Sequence, residues 1–266
     1  MKEFSKEFDK FKDKLKKEEN FALARFSDGE TFILKGEELS LSETGFVTGD
    51  RKGHGIYPIE EQKKFNPEKD KFYQDRLIDA FTHRKKNYYK GLLGREDEDI
   101  AGDSTFQFQL DLYGSGDDEH LTYSNVFINA NYPRFLKELI PLLVNRKIVL
   151  VCNENADLSN FVVPVVKDFR VGTNCIINDY ALVERIKEWI TENNIRDHVF
   201  LCSASTLGNY IIHQCFEDCD DNTFLDIGSA LSPWMKLEGW KYSRAYLQHW
   251  ILGMPNKYGI QEDKWN

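Results

Sequence analysis

Two hydrophobic periodicities divide the chain. Residues 2–18 place Phe4, Phe8, Phe11 and Leu15 at helical spacing among lysines and acids, which predicts an amphipathic N-terminal helix packed on the body of the protein. Phe21 to Phe26 is a short apolar run suited to a buried strand. Ser27-Asp28-Gly29 breaks it, and Thr31-Phe32-Ile33-Leu34 begins another apolar run, so a strand-turn-helix passage is expected. Residues 36–58, with Gly45, Gly49, Gly53 and Gly55, read as a long loop or irregular hairpin in which His54 is exposed. Asn66-Pro67-Glu68 opens a helix expected to run to about Lys90, with Phe72, Leu77, Ile78 and Phe81 on its inner side. Residues 91–120 are acidic and turn-rich, a second long loop whose carboxylates lack the spacing of an EF-hand calcium loop.

Beyond that point the pattern becomes regular. Tyr123 to Ala130 is strand-like, and Tyr132-Pro133-Arg134 opens a helix to about Asn145 that Pro141 kinks. Strands are expected at Lys147 to Cys152, Asn174 to Ile177, His198 to Cys202 and Thr223 to Ile227. Helices are expected at Asp157 to Val166, Asp179 to Asn193 and Thr206 to Cys219. This alternation predicts an α/β fold: a Rossmann-like, mostly parallel sheet flanked by helices, in one domain spanning residues 1–266 with the N-terminal helix (residues 1–20) packed on it.

Composition narrows the partners. A formal charge of −9 argues against nucleic acid and anionic membranes as broad partners. No stretch approaches the roughly 18 apolar residues of a membrane span, and the first residues lack a leader pattern. Five cysteines without paired spacing read as reduced core thiols, so a cytoplasmic protein is expected, with oligomerisation left open.

Candidate chemistry gathers at strand ends. Asp28 and Glu30, separated only by Gly29, are two hard oxygen donors at a turn, suited to Mg2+ or Mn2+ shared with phosphate. Arg25 just upstream is a permanent cation able to pair with phosphate. Ser27-x-x-Glu30 is equally a capping box, which closes a helix without binding anything, and both readings stand. Ligands in parallel sheets collect at the C-terminal strand ends. That rule groups Asp28-Gly29-Glu30 with Asn153-Glu154-Asn155, with Asp226-Ile227-Gly228-Ser229, and with the Ser203-Ala204-Ser205-Thr206-Leu207-Gly208 turn, where backbone N–H groups and hydroxyls can meet a diphosphate.

The order of these pieces is more specific than any one of them. Arg25-Phe26-Ser27-Asp28-Gly29-Glu30, then Val126-Phe127-Ile128-Asn129 with Tyr132-Pro133, then Leu201 to Gly208 and Leu225-Asp226-Ile227-Gly228 resemble the GT-D glycosyltransferase family, as spaced islands over residues 21 to about 234. The resemblance implies a Rossmann-like domain whose Asp-x-Glu motif, here Asp28 and Glu30, holds Mn2+ or Mg2+ and a nucleotide sugar, typically a UDP-sugar. It also implies hexosyl transfer to a glycan or glycoprotein acceptor. Ser27 replaces the family's usual glycine, Ser229 stands where a histidine is common, and the middle block reads Asn131-Tyr132-Pro133-Arg134. On this reading Arg25, Gly29, Asn153, Ser203, Ser205, Thr206 and Gly208 bind substrate, and Asp226 is the candidate catalytic base. Trp234, Trp240 and Tyr242 are a candidate sugar-stacking wall. Two alternatives remain: a SAM-dependent methyltransferase, from the glycine turn after Leu225-Asp226, and a non-catalytic carbohydrate-assembly protein with a degenerate site.

Overall fold

Strand β1, Ala22–Phe26, lies at the middle of the molecule, and every one of its residues is buried. A computed structural model describes residues 4–42, 45–46, 59, 62–94, 104–114 and 119–237. Within them, seven strands form one sheet in the order β6-β5-β1-β10-β9-β7-β8. These are β5 (Tyr88–Leu92), β6 (Leu121–Tyr123), β7 (Lys147–Asn153), β8 (Val165–Val171), β9 (His198–Cys202) and β10 (Thr223–Asp226) around β1, and every pairing is parallel. A three-stranded antiparallel sheet, β3-β2-β4, joins Gly45–Phe46, Leu39–Ser42 and Lys63–Phe65. The α/β architecture expected from the sequence is therefore present.

Continuous apolar strands follow from cover on both faces. Ala22, Ala24 and Phe26 point into one core with Phe200, Cys202 and Phe224. Leu23 points the other way, into a core with Val199, Leu201 and Leu225. The first core is closed by helices α2 (Asp28–Lys35), α3 (Lys71–Thr82), α4 (Thr105–Tyr113), α6 (Cys175–Asn178), α7 (Leu182–Glu192) and α8 (Ser205–Asp218). The second is closed by α1 (Phe4–Lys16) and by α5, a helix built from Tyr132–Arg134, a π turn at Phe135–Leu139 and Ile140–Leu143. As the apolar stripe requires, Phe8, Phe11 and Leu15 of α1 face inward, with Phe11 stacked on Phe21 at 5.6 Å between ring centroids.

The middle block of the family resemblance anchors α1. Asn131 Nδ2 donates to the carbonyls of Phe4 and Val126, and Arg134 Nη2 donates to Asp9 Oδ1 at 2.6 Å. Tyr132 donates its hydroxyl to the carbonyl of Ala230 at 2.9 Å, fixing the segment after β10.

Several sequence expectations are corrected. The helix expected from Asn66 to about Lys90 runs only from Lys71 to Thr82, with Phe72 exposed rather than on its inner side, and Tyr88–Leu92 is instead the buried strand β5. Its Lys90 is fully buried, with its ammonium on the carbonyl of His83 and beside the Tyr88 and Tyr113 rings. The expected loop 91–120 contains α4, and the expected loop 36–58 contains β2 and β3. The strand expected from Tyr123 to Ala130 is confined to Leu121–Tyr123, and the chain then turns into a 3-10 turn at Asn129–Asn131. No helix forms from Asp157 to Val166: Asp157 Oδ1 accepts the Ser159 N–H in a local turn, and Val165 begins edge strand β8. The strand expected at Asn174 to Ile177 is the single helical turn Cys175–Asn178, entered through Asn174 at φ 53°. The kink assigned to Pro141 is taken up by the π turn just before it, which accommodates the missing N–H. His54, Trp240, Tyr242 and the acidic run 95–99 lie outside the described residues. Among the described residues, no helix is long and apolar enough to cross a membrane.

Candidate active site

The chain leaving β1 enters α2 on the first face, whereas the chain leaving β10 sends Ala230, Leu231 and Met235 into the second. Adjacent parallel strands whose continuations diverge leave a crevice at their C-terminal ends. Asp28, Glu30, Arg25 and Asp226 all belong to that edge.

Ser27 and Glu30 do close the capping box, and Glu30 Oε2 accepts the Ser27 N–H at 3.1 Å. The same carboxylate has a second task. Glu30 Oε1 accepts the Thr206 hydroxyl at 2.7 Å, a buried bond between residues 176 positions apart that ties the start of α2 to the start of α8. The cap and the site reading thus coexist in one side chain. Asp28, half-buried, is the first residue of α2, where a carboxylate also favours the positive helix end. Ser27 Oγ donates to Ser124 Oγ at 3.3 Å. Ser124 can come this close because Gly91 lacks a side chain: a Cβ there would lie 2.8 Å from Ser124 Cα.

Arg25 is 7% exposed, and its Nε and Nη1 atoms have no hydrogen-bond partner among the described residues. Its backbone carbonyl accepts Asn209 Nδ2 at 2.6 Å, so the strand end is held by a residue of α8. The guanidinium packs over Gly228, which has φ +48°. A Cβ on Gly228 would meet Cζ and Nη2 at 2.8 Å and Nη1 closer still. The glycine therefore makes room for arginine, which accounts for the glycine turn that suggested a SAM site.

Asp226 Oδ1 lies 4.0 Å from Arg25 Nε and accepts the Gly228 N–H at 2.8 Å. Burial pushes the Asp226 carboxyl up to about 6; the Arg25 charge opposes that rise and the Glu30 charge adds to it. Ser203 Oγ donates to the Gly228 carbonyl at 2.7 Å, so the β9 turn and the β10 turn are joined. Ser205, at φ +48°, is exposed at the first position of α8.

The structure brings Arg25, Asp28, Gly29, Glu30, Ser203, Ser205, Thr206 and Asp226 together through these contacts. Two expected residues serve otherwise. Gly208 is buried in α8 against Cys202, 3.4 Å from where its Cβ would be, which sets helix-to-strand packing. Asn153 Oδ1 accepts the Asn155 N–H at 2.8 Å within its own loop, and β9 separates β7 from β10. Trp234 packs against the second core from the 3-10 turn Ser232–Trp234. Asn209 and Lys63 escaped the sequence reading, and of Gly228, grouped there with Asp226, the part it plays beside Arg25 did. Asp226-x-Gly228 carried a local signal, since an aspartate often accepts the N–H two residues on. The other two act only across the fold.

No protein-family model matches the chain, and no curated protein matches it in sequence. Solved structures share its architecture. A glycosyltransferase of Streptococcus sanguinis in the DUF1792 family superposes with a TM-score of 0.54 at 14% identity, over 85% of this chain and 81% of that one. A selenomethionine-substituted DUF1792 domain gives 0.54 at 12% identity, over 85% and 76%. A further DUF1792 structure, described as a distinct glycosyltransferase fold, gives 0.52 at 12%, over the same 85% and 76%. At these identities the likeness establishes the fold, and it is the fold that the Asp-x-Glu island and its companions implied.

Proposed function

We propose that this fold carries a glycosyltransferase that moves a sugar, a hexose on the resemblance, from a nucleoside diphosphate sugar to a glycan or glycoconjugate acceptor. The observation that carries the reading is Arg25: a guanidinium more than nine-tenths buried, with two nitrogen atoms lacking a hydrogen-bond partner among the described residues, where β1 and β10 end. Such a group is costly to leave unmatched, and a phosphate oxygen matches it in charge and in hydrogen bonding. Support comes from the shared fold of the Streptococcus sanguinis protein, which is itself named a glycosyltransferase. Uridine is the nucleoside favoured by the resemblance. The unpaired state of all five cysteines suits a reducing compartment, so the cytoplasm is the proposed location.

The donor set bears on the divalent cation. Among the described residues, no group of three or more His, Cys, Asp or Glu side chains could hold a metal ion by itself. Both Glu30 oxygens already accept hydrogen bonds, though each keeps a further lone pair. Asp28 and Glu30 therefore fit Mn2+ or Mg2+ that also takes oxygens from a diphosphate, as hard cations do at nucleotide sites. When bound, the cation would neutralise charge on the departing diphosphate.

The chain's own groups have distinct tasks in this reading. Arg25 stabilises the diphosphate where negative charge grows during transfer, without reorganising, because packing over Gly228 already fixes it. Asp226, next to Arg25 at the crevice, takes the proton of the acceptor hydroxyl. Its raised pKa makes the carboxylate a stronger base than an ordinary aspartate while leaving it ionised near neutral pH. A panel of nucleotide sugars screened for hydrolysis and transfer with Mn2+ or Mg2+ tests the proposal. Turnover is expected from one donor class and is expected to be lost in Asp28→Asn and Glu30→Gln while both variants remain folded. Normal turnover by both variants would remove the metal assignment. Nucleotide binding without turnover of any donor would instead favour the non-catalytic carbohydrate-assembly reading.

A further inference from the structure

The small antiparallel sheet sends one cation into the site. Lys63 of β4, paired with Leu41 of β2, donates its ammonium to Ser205 Oγ at 2.8 Å. The same Nζ lies 2.9 Å from where a Cβ on Gly29 would be, directly over the glycine between the two candidate carboxylate ligands. Only Gly29 leaves that space. Among the described residues, no carboxylate oxygen comes within 4.0 Å of this ammonium; the group it donates to is the neutral Ser205 hydroxyl.

The surroundings of this ammonium mix charges of both signs. Ser205 begins a 14-residue helix with no acidic residue of its own in its first turn; the Glu30 carboxylate on Thr206 is the negative charge that reaches this end. Ser205 also holds a left-handed φ of +48°, a conformation that costs free energy in a non-glycine residue. Arg25, buried and incompletely hydrogen-bonded, places a second permanent cation in the same crevice. Two cations and a helix N-terminus, set among the carboxylates of Asp28, Glu30 and Asp226, suit a multiply charged anion that arrives with a divalent cation.

We propose that Lys63 is a specificity residue for the donor, binding diphosphate oxygens together with Arg25 and so selecting a nucleoside diphosphate over a monophosphate. This rests on the reading of the site as one for a nucleoside diphosphate sugar. The Lys63–Ser205 bond then holds the ammonium in place before the ligand arrives.

Calorimetric titration of the full chain with Mn2+ present tests it. The diphosphates of uridine, thymidine, guanosine and adenosine are each paired with their monophosphates, against wild type, Lys63→Met and Lys63→Arg. Lys63→Met is expected to weaken the preferred diphosphate roughly tenfold or more, the usual weight of a hydrogen bond to a charged group, while the monophosphate changes by less than about threefold. Lys63→Arg is expected to recover most of the loss. A Lys63→Met variant that binds the diphosphate as wild type does, or that loses both nucleotides equally, overturns the assignment while leaving the proposed function standing. Wild-type chain that binds none of the eight nucleotides overturns both. Unfolding midpoints on the same samples separate a loss of fold from a loss of charge.

Discussion

Replacing Asp226 by asparagine tests the electrostatics of the crevice without any substrate. In the folded chain burial raises the Asp226 carboxyl from 3.8 to about 6. Below the lower value both folded and unfolded chains hold the proton, and the folded state has its full advantage from this group. As pH rises through the folded value the protein must ionise a buried acid, and the advantage is lost. The whole displacement is worth roughly 3 kcal/mol at the usual conversion of acidity to free energy. Most of it falls where acid unfolding would interfere. Between about pH 5 and about pH 8, however, the same two values still give wild type a loss of about 1.4 kcal/mol from this carboxyl alone. Asparagine cannot titrate, so Asp226→Asn removes that loss while leaving every other titrating group in place.

The assay is urea unfolding of both proteins across that range. The expected result is a stability difference that moves in favour of Asp226→Asn by about 1.4 kcal/mol from the acidic to the basic end, whatever its absolute offset. The offset itself reports the Arg25 contact, since asparagine removes the carboxylate 4.0 Å from its Nε. A difference flat to within roughly 0.4 kcal/mol, the size of ordinary non-additivity, refutes the burial argument.

The other consequences concern neighbouring contacts. Thr206→Val keeps the shape but leaves Glu30 Oε1 without its hydroxyl donor; a loss of about 1.5–3 kcal/mol in urea unfolding is expected, and a loss below about 0.5 kcal/mol would show that the bond does not hold the two helix starts together. Gly228→Ala forces a side chain onto a φ of +48° and into the Arg25 guanidinium; it is expected to cost about 1–3 kcal/mol and to weaken nucleotide binding, and unchanged binding would argue against Arg25 as its anchor.

What could be read from the sequence was whatever local chemistry decides. Strands β7, β9 and β10 were legible because cover on both faces makes each a nearly unbroken apolar run. Strand β5 was not, because Lys90 and Gly91 interrupt the run; the buried ammonium of one is met by the His83 carbonyl and two tyrosine rings, which only the fold supplies, and the other is required by the approach of Ser124. Edge strand β8 has the mixed exposure of a strand with one open side, and its polar residues allowed a helical reading upstream. At the site, Asp28 and Glu30 were legible as a pair because they are adjacent. The second partner of Glu30 was not, since nothing near Thr206 in sequence announces a carboxylate 176 residues away. Lys63 carries no local signal either, being one of two consecutive lysines whose difference is only which side of β4 faces Ser205.

The topology explains why the first and last strands share the chemistry. Pairing β1 with β10 puts Arg25 and Asp226 on neighbouring strand ends, so the buried guanidinium has a carboxylate nearby, but at 4.0 Å and with that carboxyl biased toward its neutral form by burial. A fully formed, fully ionised pair would satisfy Arg25 and leave nothing for a ligand to gain. An arginine with no acid near it would be too costly to bury at all. The intermediate arrangement leaves the arginine tolerable in the empty protein and still under-matched. Under the proposed function an incoming diphosphate would complete that charge balance, and Asp226, relieved of serving as counter-charge to Arg25, would be left to take up a proton.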